Sequence, residues 1–204
     1  RRCLALTDPF FPLLPLPMRL LLSLALLIGL ALPARAQAPQ PPEIAARQYI
    51  LVDLSSNQVL AARDADAQAD PASLTKLMTA YLVFNAIRDK KLGLEQEIAV
   101  SLRAWSERKG GGSLMFIDTT MRPKVDELLK GMIVQSGNDA SVALAEAVGG
   151  TLDGFVQMMN RQAQAWGLKN TQFRNVTGLT EPGHYSSARD VATIAAKIIA
   201  EHPQ

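Results

Sequence analysis

A helical spacing of apolar residues governs most of the chain beyond residue 71, and it limits the fold more than any other feature. In the segment 72–89, one helix face is formed by Leu74, Leu77, Met78, Tyr81 and Leu82. The same period recurs in later segments, at residues 125–135, 152–163 and 187–199. Residues 48–62 are different: two strand-like runs flank the turn-forming stretch 55–58, which predicts a β-hairpin. A hairpin followed by a helical block predicts an α+β domain.

The front of the chain has the pattern of an export signal. An almost unbroken apolar run, residues 20–32, follows Met18-Arg19 and is closed by Ala34-Arg35-Ala36. These features are typical of a secretory signal peptide. The alternative is a membrane anchor, but the apolar run is shorter than the roughly 20 residues of a bilayer span. We therefore predict an exported protein, in the periplasm or on the outer face of the cytoplasmic membrane. The predicted segments are upstream translated sequence over 1–17, the signal peptide over 18–36, a Pro-rich leader over 37–46 and one partial domain over 47–204.

Composition excludes several classes of function. The net charge is only +2 and the charges are scattered, so that no basic patch suggests nucleic acid binding. The single cysteine, Cys3, precedes the predicted signal peptide, and the only histidines are His184 and His202. We therefore expect no disulfide and no structural or catalytic zinc site.

Ser73 and Lys76 are the first candidate catalytic pair. They lie three residues apart at the start of the segment 72–89, so a helix would place both side chains on one face. A serine hydroxyl is a poor nucleophile until a base takes its proton, and a desolvated neutral lysine can be that base. The alternative is a serine at a helix entry beside a solvated lysine.

The spacing alone does not identify a site, because Ser-x-x-Lys occurs roughly once by chance in a chain of this size. A second copy, Ser106 and Lys109, is followed by the glycine run 110–112. Glycine runs interrupt helices, so we predict that this second copy lies in a loop.

A second candidate motif, Ser136-Gly137-Asn138, separates two predicted helices at 125–135 and 140–148. The glycine is expected to end the first helix, and Asn138 or Asp139 to cap the next. In a tight loop, the Ser136 hydroxyl can relay a proton, and the Asn138 carboxamide can hold a substrate amide or the lysine. A simple helix cap is the alternative. Another Ser-x-Asn, at residues 55–57, is predicted to form the tip of the hairpin.

Taken together and in this order, the motifs resemble those of the penicillin-binding DD-peptidases, specifically the low-molecular-mass D-alanyl-D-alanine carboxypeptidases. The resemblance covers about residues 49–201, and it rests on Asp70-Pro-Ala-Ser-Leu-Thr-Lys-Leu-Met-Thr79, Gly112-Ser-Leu-Met-Phe116, Gln135-Ser-Gly-Asn-Asp-Ala140 and His184-Tyr-Ser-Ser-Ala-Arg-Asp190. It implies that Ser73 forms an acyl-enzyme, that Lys76 is its base, and that Ser136 and Asn138 line the opposite wall. It also implies peptidoglycan stem peptides as substrates, β-lactams as covalent inhibitors, and no cofactor.

One departure from the family concerns its third motif, Lys-Thr-Gly, which in the family lies on a core strand and recognises the substrate carboxylate. The chain contains no Lys-Thr-Gly; its Thr177-Gly178 follows Val176. We therefore expect a C-terminally truncated domain that retains only the N-terminal hairpin of its antiparallel sheet, has an incomplete active site and is inactive alone. A missing C-terminal segment would be the source of any peripheral membrane contact.

Three other functions remain open at this point. A class A β-lactamase shares Ser-x-x-Lys, but it carries Ser-Asp-Asn and an additional glutamate, and neither Glu146 nor Glu181 has a matching context. A DD-endopeptidase would use the same groups as a carboxypeptidase. A non-catalytic cell-wall binding protein would be compatible with the missing third motif. His184 is expected to fix a loop, because the lysine already supplies the base.

Overall fold

The computed structural model describes residues 42–203, so the predicted signal peptide and residues 37–41 of the leader lie outside the described part. All the elements belong to one unit, Ile44–Gln204. The strands are β1 (Tyr49–Asp53) and β2 (Gln58–Arg63). The α-helices are α1 (Thr75–Arg88), α2 (Leu102–Ser106), α3 (Val125–Val134), α4 (Asn138–Gly149), α5 (Leu152–Ala165) and α6 (Ala188–Glu201). Short 3-10 helices occur at Ala72–Leu74 and Glu107–Lys109.

The hairpin forms where the sequence predicted it. β1 and β2 pair antiparallel, with an irregularity of the register between Leu51 and Val52. The turn is held by Asp53, whose carboxylate accepts hydrogen bonds from the Ser55 amide at 2.9 Å and the Ser56 hydroxyl at 2.8 Å. Within the described residues the sheet has two strands, and α6 packs against β1. The hairpin thus forms an edge of the helical block.

The core lies between the helices, with α4 packed against α1, α2, α3 and α5. Its most deeply buried side chains include Met78 and Val83 of α1, Leu144 of α4 and Phe155 of α5. Full burial of such a side chain contributes about 1.5–3 kcal/mol. This packing sets α1 directly against α4, and the two candidate motifs stand at the start of these two helices.

The predicted helix at 72–89 forms, but it starts with the 3-10 helix Ala72–Leu74, and α1 begins at Thr75. The prediction for the second Ser-x-x-Lys was wrong: it is not a loop, because Ser106 ends α2 and Lys109 ends a 3-10 helix. The glycine run ends the helical structure only after residue 109, so these glycines do not disturb the turn that precedes them.

No helix among the described residues 42–203 is both long and apolar enough to cross a bilayer.

Candidate active site

The backbone before α1 presents Ser73 to solvent. Ser73 is exposed on its 3-10 turn, and the residue before it, Ala72, has a left-handed φ of 47°. Gly178 packs directly against this turn: an added Cβ at Gly178 would lie 1.8 Å from the Ala72 carbonyl oxygen. Only glycine permits this approach, and its φ of +89° also favours glycine. The close contact fixes the turn that carries the candidate nucleophile.

Lys76 is buried below Ser73, with 7% of its surface exposed. Its Nζ lies 3.3 Å from Ser73 Oγ, and it donates to Asn138 Oδ1 and to the Thr177 carbonyl, both at 2.8 Å. Burial lowers the pKa of Lys76 to about 8, although the negative charge of Glu107 acts in the opposite direction. The neutral amine is therefore a minor form near pH 7, but far more of it is present than for a lysine with the ordinary pKa of 10.5.

The geometry around Nζ suits a base. A neutral amine keeps two protons and one lone pair, and Asn138 Oδ1 and the Thr177 carbonyl accept two N–H groups. The remaining direction points at Ser73 Oγ, so the lone pair of the neutral form faces the serine hydroxyl. Because the two acceptors are fixed, the amine does not have to reorient to take a proton.

The second motif completes the wall opposite Ser73. Ser136 has a left-handed φ of 56°, and its hydroxyl donates to Ser73 Oγ at 2.9 Å. Asn138 is the first residue of α4 and is 3% exposed. The structure therefore brings together all four residues selected from the sequence: Ser73, Lys76, Ser136 and Asn138.

The predicted cap of α4 was wrong. The N-cap is Gly137, which has no side chain, and the Asn138 side chain bonds to Lys76 instead. The Asp139 carboxylate is buried and accepts from the backbone amides of Met115 at 2.8 Å and Ile117 at 3.1 Å. Both side chains bind groups distant in sequence, which a local capping rule cannot anticipate.

Residues 112–117, here called the strap, cover Asn138. The backbone N–H of Asn138 donates to the Ser113 carbonyl at 2.8 Å. At Gly112 an added Cβ would lie 2.7 Å from Asn138 Nδ2, so the strap backbone lies directly against the carboxamide. Asp139 anchors the other end of the strap. The strap thus contacts both the backbone and the side chain of Asn138, and these contacts keep Asn138 Oδ1 in place to accept from Lys76 Nζ.

Residues 174–178, here called the rear loop, supply a group that the sequence did not reveal. The Thr177 carbonyl accepts from Lys76, and the Val176 carbonyl accepts from the Thr79 hydroxyl at 3.0 Å. A backbone carbonyl carries no residue-type signature, so the side chains gave no signal for Thr177. His184, expected to fix a loop, is buried and lies between this loop and α1.

A groove opens next to Ser73. It has a volume of about 770 Å³ and is lined mainly by apolar side chains, among them Leu77, Phe84 and Ile133. Lys76 is the only cationic residue in its lining. The described residues contain no cluster of three or more His, Cys, Asp or Glu side chains that could hold a metal ion.

Comparison with known proteins shows which family the chain resembles. A family model described as D-alanyl-D-alanine carboxypeptidase, peptidase S11, matches residues 35–204. D-alanyl-D-alanine carboxypeptidase DacA of Haemophilus influenzae is 43% identical over 164 residues, which are 80% of this chain and 42% of that protein. D-alanyl-D-alanine endopeptidase of Pseudomonas aeruginosa is 31% identical over 173 residues, 85% of this chain and 54% of that protein.

A solved structure extends the similarity to the fold. Penicillin binding protein 5 from Haemophilus influenzae has a TM-score of 0.78 at 43% identity, covering 81% of this chain and 48% of that chain. This similarity confirms the predicted α+β fold of the DD-peptidase type. The chain spans about half the length of the curated relatives it matches. Since the family model matches well over half of the chain, the protein belongs to the D-alanyl-D-alanine carboxypeptidase family, peptidase S11.

Proposed function

We propose that the protein containing this chain is a serine-type D-Ala-D-Ala carboxypeptidase that removes the terminal D-alanine from peptidoglycan pentapeptides. The observation that carries the proposal is the environment of Lys76. It is a buried amine with two fixed acceptors, and its remaining direction faces the exposed Ser73 hydroxyl. This is what a lysine base needs in order to activate a serine.

Acylation starts with neutral Lys76. Nζ takes the Ser73 proton as Oγ attacks the carbonyl carbon of the penultimate D-alanine, and the Oγ–C bond forms. The tetrahedral intermediate collapses by breaking the peptide C–N bond, and the D-alanine amine leaves with one proton. The Ser136 hydroxyl is 2.9 Å from Ser73 Oγ, which places it beside the reacting centre, so it can give its proton to the leaving nitrogen. In this scheme protonated Lys76 then returns a proton to Ser136.

Deacylation uses water as the nucleophile. A water molecule attacks the ester carbon, and the same Lys76–Ser136 pair takes its proton and returns one to Ser73 Oγ. The products are the shortened peptide and the free serine. No step requires a metal ion or an organic cofactor.

The proposal extends to inhibitors and location. A β-lactam carbonyl would acylate Ser73 by the same attack, with the ring C–N bond in place of the peptide bond; the Haemophilus structure is named as a penicillin binding protein. The predicted signal peptide over 18–36 would export the protein to the periplasm or the outer face of the cytoplasmic membrane.

A DD-endopeptidase is the second candidate. It is supported by the 31% identity with the Pseudomonas endopeptidase, which is lower than the 43% identity with the Haemophilus carboxypeptidase. A class A β-lactamase is less favoured, because Gly137 replaces the aspartate of Ser-Asp-Asn. Glu146 also bonds to the Ser101 hydroxyl at 2.6 Å instead of facing Ser73.

The test is to assay the longest natural protein that contains this chain on two substrates, a pentapeptide ending in D-Ala-D-Ala and a cross-linked muropeptide dimer. We expect D-alanine release from the first and slower cleavage of the second, both abolished by Ser73→Ala. Preferred cleavage of the dimer would replace the carboxypeptidase with an endopeptidase. Binding of either substrate without turnover would favour a non-catalytic wall-binding protein.

A further inference from the structure

We infer that His184 is a positioning residue: it ties the rear loop to the start of α1, and thereby keeps the Thr177 carbonyl on Lys76 Nζ. The inference rests on the proposed function, since it concerns the same base. His184 is 3% exposed and is not one of the residues that line the groove, and its ring nitrogens bond to none of the four candidate site residues.

The two ring nitrogens of His184 have different partners. Nδ1 accepts a hydrogen bond from the Arg174 backbone amide at 3.0 Å. Because an amide can only donate, Nδ1 carries no proton, and the neutral ring must carry its proton on Nε2. Nε2 lies 2.9 Å from Thr75 Oγ1, so it donates to that hydroxyl. The ring therefore joins the first residue of the rear loop to the first residue of α1.

Only the neutral imidazole can make both bonds, since a protonated ring has no acceptor for the Arg174 amide. Burial lowers the pKa of His184, while the negative charges of Glu181 and Asp70 act in the opposite direction. The Phe173 ring lies edge-on, with its centroid 6.0 Å from that of the imidazole. This apolar neighbour adds to the preference for the neutral form.

The rear loop reaches α1 at further points. The Thr79 hydroxyl donates to the Val176 carbonyl, one turn along the helix from the His184 contact. Gly178 lies against the Ala72 carbonyl on the other side. The Thr177 carbonyl sits between these contacts, so its position depends on the attachment of both ends of the loop. His184 fixes one end through Arg174.

The consequence for chemistry follows from the direction of the lysine lone pair. If the Thr177 carbonyl moves away, one N–H of Lys76 loses its acceptor and the lone pair is no longer directed at Ser73 Oγ. A misplacement of about 1 Å can cost on the order of 100-fold in rate. Because the contacts of Val176 and Gly178 with α1 remain, and Asn160 still bonds to the Phe173 backbone, we expect loss of the His184 bridge to slow acylation about tenfold.

The experiment measures the rate constant of acylation by a chromogenic cephalosporin in the longest natural protein that contains the chain, expressed per active site titrated with labelled penicillin. Normalising to titrated sites removes the contribution of unfolded molecules. The variants are His184→Leu, His184→Gln and Thr75→Val, and the control is His202→Leu. His202 also bonds through Nε2, to Asn85 Oδ1 at 3.0 Å, at the other end of α1.

We expect His184→Leu to acylate about tenfold more slowly per titrated site, with the binding constant for the cephalosporin little changed. His184→Gln should recover part of the rate, because its amide supplies both a donor and an acceptor. The double variant His184→Leu/Thr75→Val should be no slower than the slower single variant, since both remove one bridge. His202→Leu should keep the wild-type rate.

A His184→Leu protein with a lower melting temperature and fewer titratable sites, but an unchanged rate per site, would overturn the inference and leave His184 with a structural role alone. Equal slowing by His202→Leu would overturn it too. If the wild-type protein itself is not acylated, the proposed function fails. This outcome is distinct from failure of the His184 inference, which would appear only as a difference between the variants and the wild-type protein.

Discussion

Two regions of this chain carry the same Ser-x-x-Lys spacing on a helical turn, and their difference explains what makes one of them a site. Lys76 is buried and has two acceptors on other segments of the chain, whereas Lys109 is exposed and its Nζ lies 5.6 Å from the centroid of the Trp105 ring. The Ser106 hydroxyl donates to the Arg103 carbonyl within its own helix. Spacing brings a serine and a lysine together, but burial and acceptors on other elements are what make the lysine a base.

The largest effect is expected from Lys76→Arg. A guanidinium stays protonated, so it cannot accept the serine proton even though the charge is kept. Loss of a general base costs about 100-fold to 10,000-fold, and we expect acylation by penicillin to fall about 1,000-fold or more. Stopped-flow acylation kinetics measure this effect. Lys109→Arg, the same change in the other turn, should keep the wild-type rate; equal loss in both variants would end the distinction between the two lysines.

A smaller effect is expected when the hydroxyl of Ser136 is removed. Ser136→Ala and Ser136→Gly both delete the proton relay, and we expect each to slow acylation about 100-fold. Glycine accommodates the left-handed φ of 56° that alanine resists, so similar loss in both variants excludes backbone strain as the cause. Ser106→Ala is the control in the other turn. Recovery of the rate in Ser136→Gly would show that the backbone, and not the hydroxyl, matters.

The pH dependence of the acylation rate should reflect the lowered pKa of Lys76. The base is the neutral amine, so acylation rises as pH increases through a pKa of about 8 and then levels off. Only about one-tenth of the amine is neutral at pH 7, so the plateau should be about tenfold faster than the rate at pH 7. Lys109→Met should leave this profile unchanged. A rate still rising steeply near the ordinary lysine value of 10.5 would mean that burial does not tune Lys76.

The smallest effect concerns the strap that holds Asn138. In Gly112→Ala the new methyl group meets Asn138 Nδ2, and we expect acylation to slow several-fold, about 1 kcal/mol in the barrier. Gly111→Ala is a matched control, because Gly111 also has a positive φ (+78°) but an added Cβ meets no atom within 4 Å. Both rates are to be measured per titrated site. Equal slowing in Gly112→Ala and Gly111→Ala would assign the effect to backbone strain and not to the contact with Asn138.

The sequence predicted the part of the site that consists of side chains in motifs. Ser73 and Lys76 share a helical turn, and Ser136 and Asn138 share a tight loop, so short spacing already constrained each pair. The structure then brings the pairs within 2.9 Å of each other at the two serine hydroxyls. The hairpin and the long helices were predictable for the same reason: their hydrophobic period is local.

The parts that could not be predicted depend on contacts between distant segments. The Thr177 carbonyl reaches Lys76 across 101 positions, and it is a backbone group that any residue could supply. Asp139 was one of the two expected caps, with Asn138 as the other, but tertiary packing places its carboxylate on the backbone amides of the strap. The approach of Gly178 to Ala72 likewise exists only once the rear loop packs against α1.

The central claim is that Ser73 is the nucleophile, and covalent labelling tests it most directly. The longest natural protein containing this chain is to be treated with labelled penicillin, digested, and the adduct assigned by mass spectrometry, with Ser73→Ala and Ser106→Ala as paired variants. The account predicts one adduct, on the peptide containing Ser73, that disappears in Ser73→Ala and persists in Ser106→Ala. An adduct on any other serine, or labelling that survives in Ser73→Ala, would contradict it.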